Sequence, residues 1–438
     1  MQTATGISRI GLLLATLGVL GSMLLMGCGA SNVEAVEVAR SEQTRADPAT
    51  VDASSVATLV QGNTAFAFDL YDVFQVESGN LFYSPYSIST ALAMTYAGAS
   101  GQTADQMAAA LSFILPPEQL HPSFNALDQQ LNRSSAPTSG EDAEQPFRLY
   151  LANSLWSQRG FPIQMTFLDT LALYYGASVR LVDFETQTEE SRLAINDWVS
   201  QQTEGKIEDL IPSGGLDSLT RLVLANAIYF KADWRFPFDA DLTMDGPFTL
   251  LDGSEVTVPM MSHTMDRELA YTEGENYQAV AMPYYGDSEM VILLPAEGAF
   301  PQFEATLDGA TVQAIIDAMA PQLVDLTMPR FSFESEADLA ATLQKLGMTD
   351  AFDAALADFS GMTPVADLHI NAVFHKAFVA VDEKGTEAAA ATGVVAGVTS
   401  APLDPAAIVR VDRPFVFLIR DQVTGSVLFV GRVVNPQA

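Results

Sequence analysis

Apolar positions recur along this chain with two periods, and the changes of period mark its elements. Phe66, Leu70 and Phe74 fall four apart and predict one face of a helix, opening a folded part near Leu59. Ser84 and Pro85 read as the N-cap and first position of the next helix, with Ile88, Leu92 and Tyr96 along one face. Gly98 to Gly101 ends it, and Thr103-Ala-Asp-Gln106 has the form of a capping box opening another. Beyond a polar loop at 132–144, alternation over 147–156 and 177–184 predicts strands, and 189–203 is amphipathic through Leu193, Ile195, Trp198 and Val199. Leu222 to Phe230 is nearly all apolar, broken by one amide, Asn226, as in a central strand covered on both faces. Further strands are predicted at 278–283, 289–294, 323–333, 371–382, 408–420 and 427–434, and helices at 301–319 and 336–347. Helices gather early and strands late, with no internal repeat and no linker after residue 59, so the pattern predicts one α+β domain.

One stretch fits neither core nor linker. Val379 and Val381 alternate with Ala380 and Asp382 as a strand does, the pattern breaks at Gly385, and no charge occurs from Ala388 to Leu403. Read with a period of two, Thr386, Ala388 and Ala390 share one face, and Glu387, Ala389 and Ala391 share the other. A short alanine-rich helix capped by Thr386 suits the same residues equally well.

Composition narrows the partners. Net charge is −33, from 21 basic against 54 acidic residues, so nucleic acid and anionic membrane surfaces, which need clustered Lys and Arg, are excluded as partners. The chain has one cysteine, Cys28, which rules out an intrachain disulfide and a thiolate metal cluster. Residues 10–26 form an apolar run after Arg9, short for a spanning helix and suited to a signal-peptide core. Leu25-Met-Gly-Cys28 resembles a bacterial lipobox, making Cys28 the expected lipidation site and membrane contact by that lipid alone the expectation. The expected division is a signal peptide at 1–27, a flexible tether at 28–58 and a folded domain at 59–438, placed outside the cytoplasm, anchored to the cell envelope or secreted.

Catalytic patterns are missing. The four histidines (His121, His263, His369, His375) come with no G-x-S-x-G elbow and no H-E-x-x-H helix, and there is no phosphate-binding loop. No enzyme, cofactor or metal is expected.

Several motifs in order carry a family likeness: Asn80-Leu-Phe-Tyr-Ser-Pro-Tyr-Ser-Ile, Gly98-Ala-Ser-Gly-Gln-Thr, Ala152-Asn-Ser-Leu-Trp, Leu224-Ala-Asn-Ala-Ile-Tyr-Phe-Lys-Ala-Asp-Trp, Met328-Pro-Arg-Phe, Asp382-Glu-Lys-Gly-Thr-Glu-Ala-Ala-Ala-Ala-Thr and Asp412-Arg-Pro-Phe. Over 59–436 the chain resembles a serpin, a serine protease inhibitor. The resemblance implies three β-sheets, about nine helices and an exposed reactive-centre loop, here at about 384–410. It implies a covalent acyl complex with a serine protease, trapped when the cleaved loop enters the largest sheet as a new strand. The chain is expected to be a monomer.

By the same resemblance, Glu383, Gly385, Thr386, Glu387, Ala388, Ala389, Ala390 and Ala391 form the hinge. Ser84, Ser87, Asn226 and His375 form a hydrogen-bonded shutter, and Trp234 stands at the breach where insertion starts. Counted from the hinge, the reactive bond is Thr399-Ser400, and counted back from Arg413-Pro-Phe it is Leu403-Asp404; the hinge count is preferred because insertion fixes that distance. A small bait with no Lys or Arg between Lys384 and Arg410 suits elastase-like or subtilisin-like pockets. A non-inhibitory serpin-fold protein and an inhibitor of cysteine proteases are the alternatives.

Overall fold

The structure, a computed structural model, describes residues 36–134, 148–263, 268–365, 368–386 and 407–437. Seven strands make one sheet, in the spatial order Glu37–Ala39, Val179–Val182, Arg148–Gln158, Leu222–Asp233, Gly385–Thr386, Ala372–Val381 and Phe331–Asp338. Ten strands make a second network. It is two sheets joined through one long strand, Ala320–Pro329, whose first residues pair with Glu268–Glu273 and whose later residues pair with Glu255–Ser262 and Ala407–Arg410. Three sheets, two of them joined through that strand, with nine α-helices among the described residues, match the expected architecture.

The uninterrupted apolar run explains the position of Leu222–Asp233. Its even residues (Leu222, Leu224, Ile228, Phe230) face the main core, while Val223, Ala225 and Ala227 lie beneath the helix Thr188–Gln202 with Trp156, Ile195, Val199 and Phe374. Each large apolar side chain fully buried this way contributes about 1.5–3 kcal/mol. The sheet is therefore held on both faces along its middle strand, and its lower half is covered by a helix.

Several elements differ from their predicted bounds. The helix expected over 301–319 is two, Phe300–Glu304 and Gly309–Asp317, because Asp308 accepts the Thr311 N–H at 2.6 Å and caps the second. The strand expected at 323–333 breaks between Ala320–Pro329 and Phe331–Asp338, where the chain leaves one sheet for another. Likewise 408–420 is two strands, Ala407–Arg410 and Phe415–Asp421, with different neighbours. Thr103 does not open a helix: Gly101–Ala110 starts earlier, and the buried Thr103 hydroxyl accepts from the Asp358 N–H at 2.9 Å.

The tether expected at 28–58 is packed on the body from Val36 onward. Glu37–Ala39 adds an edge strand to Val179–Val182. Arg45 then donates to Asn125 at 2.8 Å and to Asp128 at 2.6 Å, and the Ala46 carbonyl accepts from Asn125 and Gln129 at 3.0 Å each. The first helix begins at Ala53, capped by Asp52, six residues before Leu59. These anchors are backbone and polar groups, so a search for large apolar residues passes over them.

Candidate functional site: a slot in the seven-stranded sheet

Two neighbours in this sheet, Leu222–Asp233 and Ala372–Val381, run parallel and pair directly from Ala372 opposite Val223 up to Phe378 opposite Tyr229. Above that level they part. The chain turns back at Asp382, whose N–H donates to the Gly385 carbonyl at 3.0 Å and whose Oδ1 accepts from the N–H groups of Lys384 (2.8 Å) and Gly385 (3.2 Å). Gly385 and Thr386 then enter the gap, Thr386 opposite Val381 on one side and Ala232 on the other, antiparallel to both.

Space selects glycine here. A Cβ on Gly385 would stand 2.1 Å from the Ala232 carbonyl oxygen and 2.8 Å from the Asp233 Cα, backbone atoms that cannot swing aside. Thr386 is 1% exposed, and its hydroxyl meets the buried Tyr284 hydroxyl at 2.6 Å. Glu383, expected in the hinge, thus lies in a turn, and two other expected hinge residues, Gly385 and Thr386, are already strand.

The top of the slot is closed by groups that grip this turn. Trp234, 1% exposed, stacks on Tyr284 with centroids 4.2 Å apart. Its indole N–H donates to the Asp382 carbonyl at 3.0 Å, and its backbone N–H to the Lys384 carbonyl at 2.7 Å. Glu383 is buried, and burial works to raise its pKa. Hydrogen bonds from Thr243 (2.7 Å) and from Arg330 outweigh that and hold it below the ordinary carboxylate value.

Lower in the same seam, the four expected shutter residues are in mutual contact. Ser84 caps its helix by accepting the Ser87 N–H at 3.1 Å and donates its hydroxyl to the Leu428 carbonyl at 2.6 Å. The Ser84 N–H reaches His375 Nε2 at 3.3 Å, so the ring proton sits on Nδ1 and is donated to Asn226 Oδ1. Asn226 Nδ2 donates to the Ser87 hydroxyl at 2.7 Å. Burial pulls the pKa of His375 down to about 3. The neutral ring thus ties the helix start at Ser84 to the strand at Asn226.

Sequence reasoning missed a fifth member, Asn153. Its Oδ1 accepts from Ser87 (2.9 Å) and Asn226 (2.5 Å), and its Nδ2 donates to the Ser87 carbonyl at 3.1 Å. The signal was present, since Asn153 is an amide inside a strand and the direct register partner of Asn226. Thr243, Arg330 and Tyr284 had no comparable signal, because their roles depend on which distant loops meet at the slot.

Glu387, Ala388, Ala389, Ala390, Ala391, Thr399, Ser400 and Cys28 lie outside the described residues. The far side of the loop is fixed by Ala407–Arg410, parallel to Val324–Thr327, with Arg410 donating to Asp325 at 2.9 and 3.2 Å. Among the described residues no group of His, Cys, Asp and Glu side chains is arranged to hold a metal, and no helix is long and apolar enough to cross a membrane. The arrangement is a pre-opened slot with its own chain started into it.

Comparison with known proteins agrees with this geometry. Residues 61–436 match the family model described as "Serpin (serine protease inhibitor)". An uncharacterized serpin-like protein of Thermococcus kodakarensis is 38% identical over 382 residues, 86% of each chain. The leukocyte elastase inhibitor of Bos taurus is 39% identical over 391 residues, 86% of this chain and 99% of that one. Among solved structures, a thermophilic serpin, tengpin, in its native state superposes with a TM-score of 0.79 at 29% identity, covering 91% of this chain and all of that one.

Proposed function

The chain belongs to the serpin (serine protease inhibitor) family, whose members are mostly protease inhibitors rather than catalysts, and we propose that it traps serine endopeptidases as a suicide substrate. The protease serine attacks the carbonyl of the bait bond, placed at Thr399-Ser400. An ester to the enzyme forms, the peptide C–N bond breaks, and the new amine takes a proton from the protease histidine. The freed loop then continues the strand begun at Gly385–Thr386. About fifteen residues at roughly 3.3 Å each carry the bound enzyme about 50 Å, away from the geometry it needs to hydrolyse the ester.

The observation that carries this reading is the seating of Gly385–Thr386 between two parallel strands that pair directly just below. Its continuation, Glu387 to Ala391, is nearly all alanine, which loses little side-chain entropy on burial and brings no bulk into the slot. Each inserted residue gains ladder hydrogen bonds on both sides.

The bait's small residues and the lack of Lys or Arg between Lys384 and Arg410 favour an elastase-like or subtilisin-like target. We further propose a monomer outside the cytoplasm, anchored to the cell envelope through lipidated Cys28 or secreted.

Incubation with elastase, subtilisin, chymotrypsin, trypsin and a papain-like protease, followed by denaturing electrophoresis, tests the proposal. An SDS-resistant complex with elastase or subtilisin is expected, along with a higher melting temperature of the cleaved form. Cleavage by every enzyme with no complex and no stability gain would mark a non-inhibitory member. A complex with trypsin alone would overturn the bait assignment, and one with the papain-like enzyme alone would move the target class.

A further inference from the structure

Rows of register partners fix the height of each strand end in the seven-stranded sheet. Glu37 pairs with Leu181, Leu181 with Ser157 and Ser157 with Leu222, so these four residues make one row. Ala372 pairs with Val223, one step above, so this row is the lower edge of the sheet on both sides of the slot. The twelve-residue strand Leu222–Asp233 spans about 36 Å from that row to the row of Gly385 at the top.

Glu37–Ala39 runs antiparallel to Val179–Val182, so Glu37 is its lower end. The chain before Val36 therefore leaves the body at the lower edge, at the pole opposite the turn that holds Gly385 and Thr386. Val36 is packed against the apolar cluster beneath Thr188–Gln202, and Glu37 meets Arg159 at 3.5 Å, so the exit is fixed on the body. The other terminus lies at the top. Gln437 donates to the Thr257 carbonyl at 2.7 Å, in the sheet that holds Ala407–Arg410, and Thr243 beside that sheet donates to Glu383.

The insertion proposed above carries a bound enzyme about 50 Å, farther than the sheet is tall, so the enzyme passes the lower row. An endopeptidase of about 220 residues has a radius of gyration of about 17 Å and is about 45 Å across. Gly385–Thr386 and Glu37–Ala39 stand four strand spacings apart, about 19 Å. Half the enzyme's width exceeds that offset, so an enzyme delivered below the slot also covers the exit of the N-terminal chain. Eight residue steps separate Cys28 from Val36, about 28 Å at full extension, less than the enzyme's width.

We propose that a trapped endopeptidase and the N-terminal attachment compete for one pole, the lower edge of this sheet with Glu37–Ala39 at its rim. When the chain is held to a surface through Cys28, the body must tip away from that surface to admit the enzyme, and the short span resists the tilt. The span before Val36 thereby sets how completely the attached molecule traps, while the bait end stays open to attack. This rests on the insertion reading given above.

Cys28 is the one cysteine, which gives a single coupling point. For the test, the chain from Cys28 onward is coupled to maleimide-bearing vesicles of phosphatidylcholine, neutral because anionic lipid would repel so acidic a chain. The readouts, with a protease that the free chain traps, are the rate of loop cleavage and the share of cleaved chain held as SDS-resistant complex. Coupling at Cys28 is expected to leave the cleavage rate unchanged and to lower the complexed share, with cleaved, uncomplexed chain taking its place. Inserting about twenty Gly and Ser residues before Val36 raises the greatest span to about 90 Å and is expected to restore the share. A Cys28→Ser chain coupled through a cysteine added after Ala438 is expected to show slower cleavage with an unchanged complexed share. A Cys28-coupled chain that matches the free one, a longer span that restores nothing, or an equal loss on C-terminal coupling would overturn the shared pole. A free chain that is cleaved without forming any complex would instead overturn the insertion reading beneath it.

Discussion

Replacing Gly385 by alanine adds one carbon where none fits. The new Cβ would meet the Ala232 carbonyl oxygen at 2.1 Å, and neither a rotamer change nor a flexible neighbour relieves a clash with backbone. The turn must leave the slot. It then gives up the bond from Asp382 N–H to the Gly385 carbonyl (3.0 Å), that from Trp234 N–H to the Lys384 carbonyl (2.7 Å), and the hydroxyl contact between Thr386 and Tyr284 (2.6 Å). At about 1 kcal/mol net for each, roughly 3 kcal/mol of native stability is lost. With about 2 °C per kcal/mol for a large domain, native melting is expected to fall by roughly 6 °C. Scanning calorimetry and the stoichiometry of inhibition read both consequences, since a hinge displaced before cleavage also starts insertion late. Thr386→Val is the graded control: it keeps the shape, strands the Tyr284 hydroxyl and should cost about 1–3 kcal/mol. If Gly385→Ala melts within about 1 °C of wild type and inhibits equally well, Gly385 is not confined between the strands.

Three further outcomes are expected. Unfolded histidine titrates near 6.5, while burial lowers His375 to about 3 and His121 to about 4. Between these values the unfolded chain holds protons that the folded chain does not, so stability falls as pH drops below about 6.5. His375→Gln is expected to reduce that slope by about 1.4 kcal/mol per pH unit between about pH 4 and 6 in urea titrations, and equal slopes would show that His375 is not buried as a neutral ring. Asn153→Ala and Asn226→Ala should couple by about 0.5–3 kcal/mol in a double-mutant cycle, and additivity would remove Asn153 from the shutter. Arg45→Ala should cost about 0.5–1 kcal/mol and make residues 36–52 more readily nicked by a protease than in the wild type; unchanged nicking within that segment would deny the strap its hold.

What the sequence made legible was whatever one residue's neighbours decide. Ser84-Pro85 specified a helix start, and the lone amide in Leu222–Phe230 announced a buried polar contact, now seen with Ser87, Asn153 and His375. Breaks inside long apolar runs were not legible, because Phe331 and Phe415 continue a pattern while the chain changes sheets beneath it. The strap at 36–52 was missed for a different reason, since edge pairing and an Arg45–Asp128 bond leave little trace in hydrophobicity. Arg330 and Glu383 lie fifty-three positions apart, and only the closed sheet brings them together.

The single-residue overlap of two ladders at Thr386 has a consequence for how this chain reaches its working form. The parallel pair at the slot has slanted hydrogen bonds and is slightly weaker per residue than the antiparallel ladders flanking it. The first two residues of an antiparallel partner for both strands, Gly385 and Thr386, are attached to one of them by a turn of two residues. On the insertion reading proposed above, one sequence has two ways to bond the same sheet, and the less well bonded one is occupied while the loop is joined at its far end by Ala407–Arg410. On that reading its persistence is a matter of rates: shelf life is then set by a barrier, and lengthening it means slowing an escape rather than deepening a well.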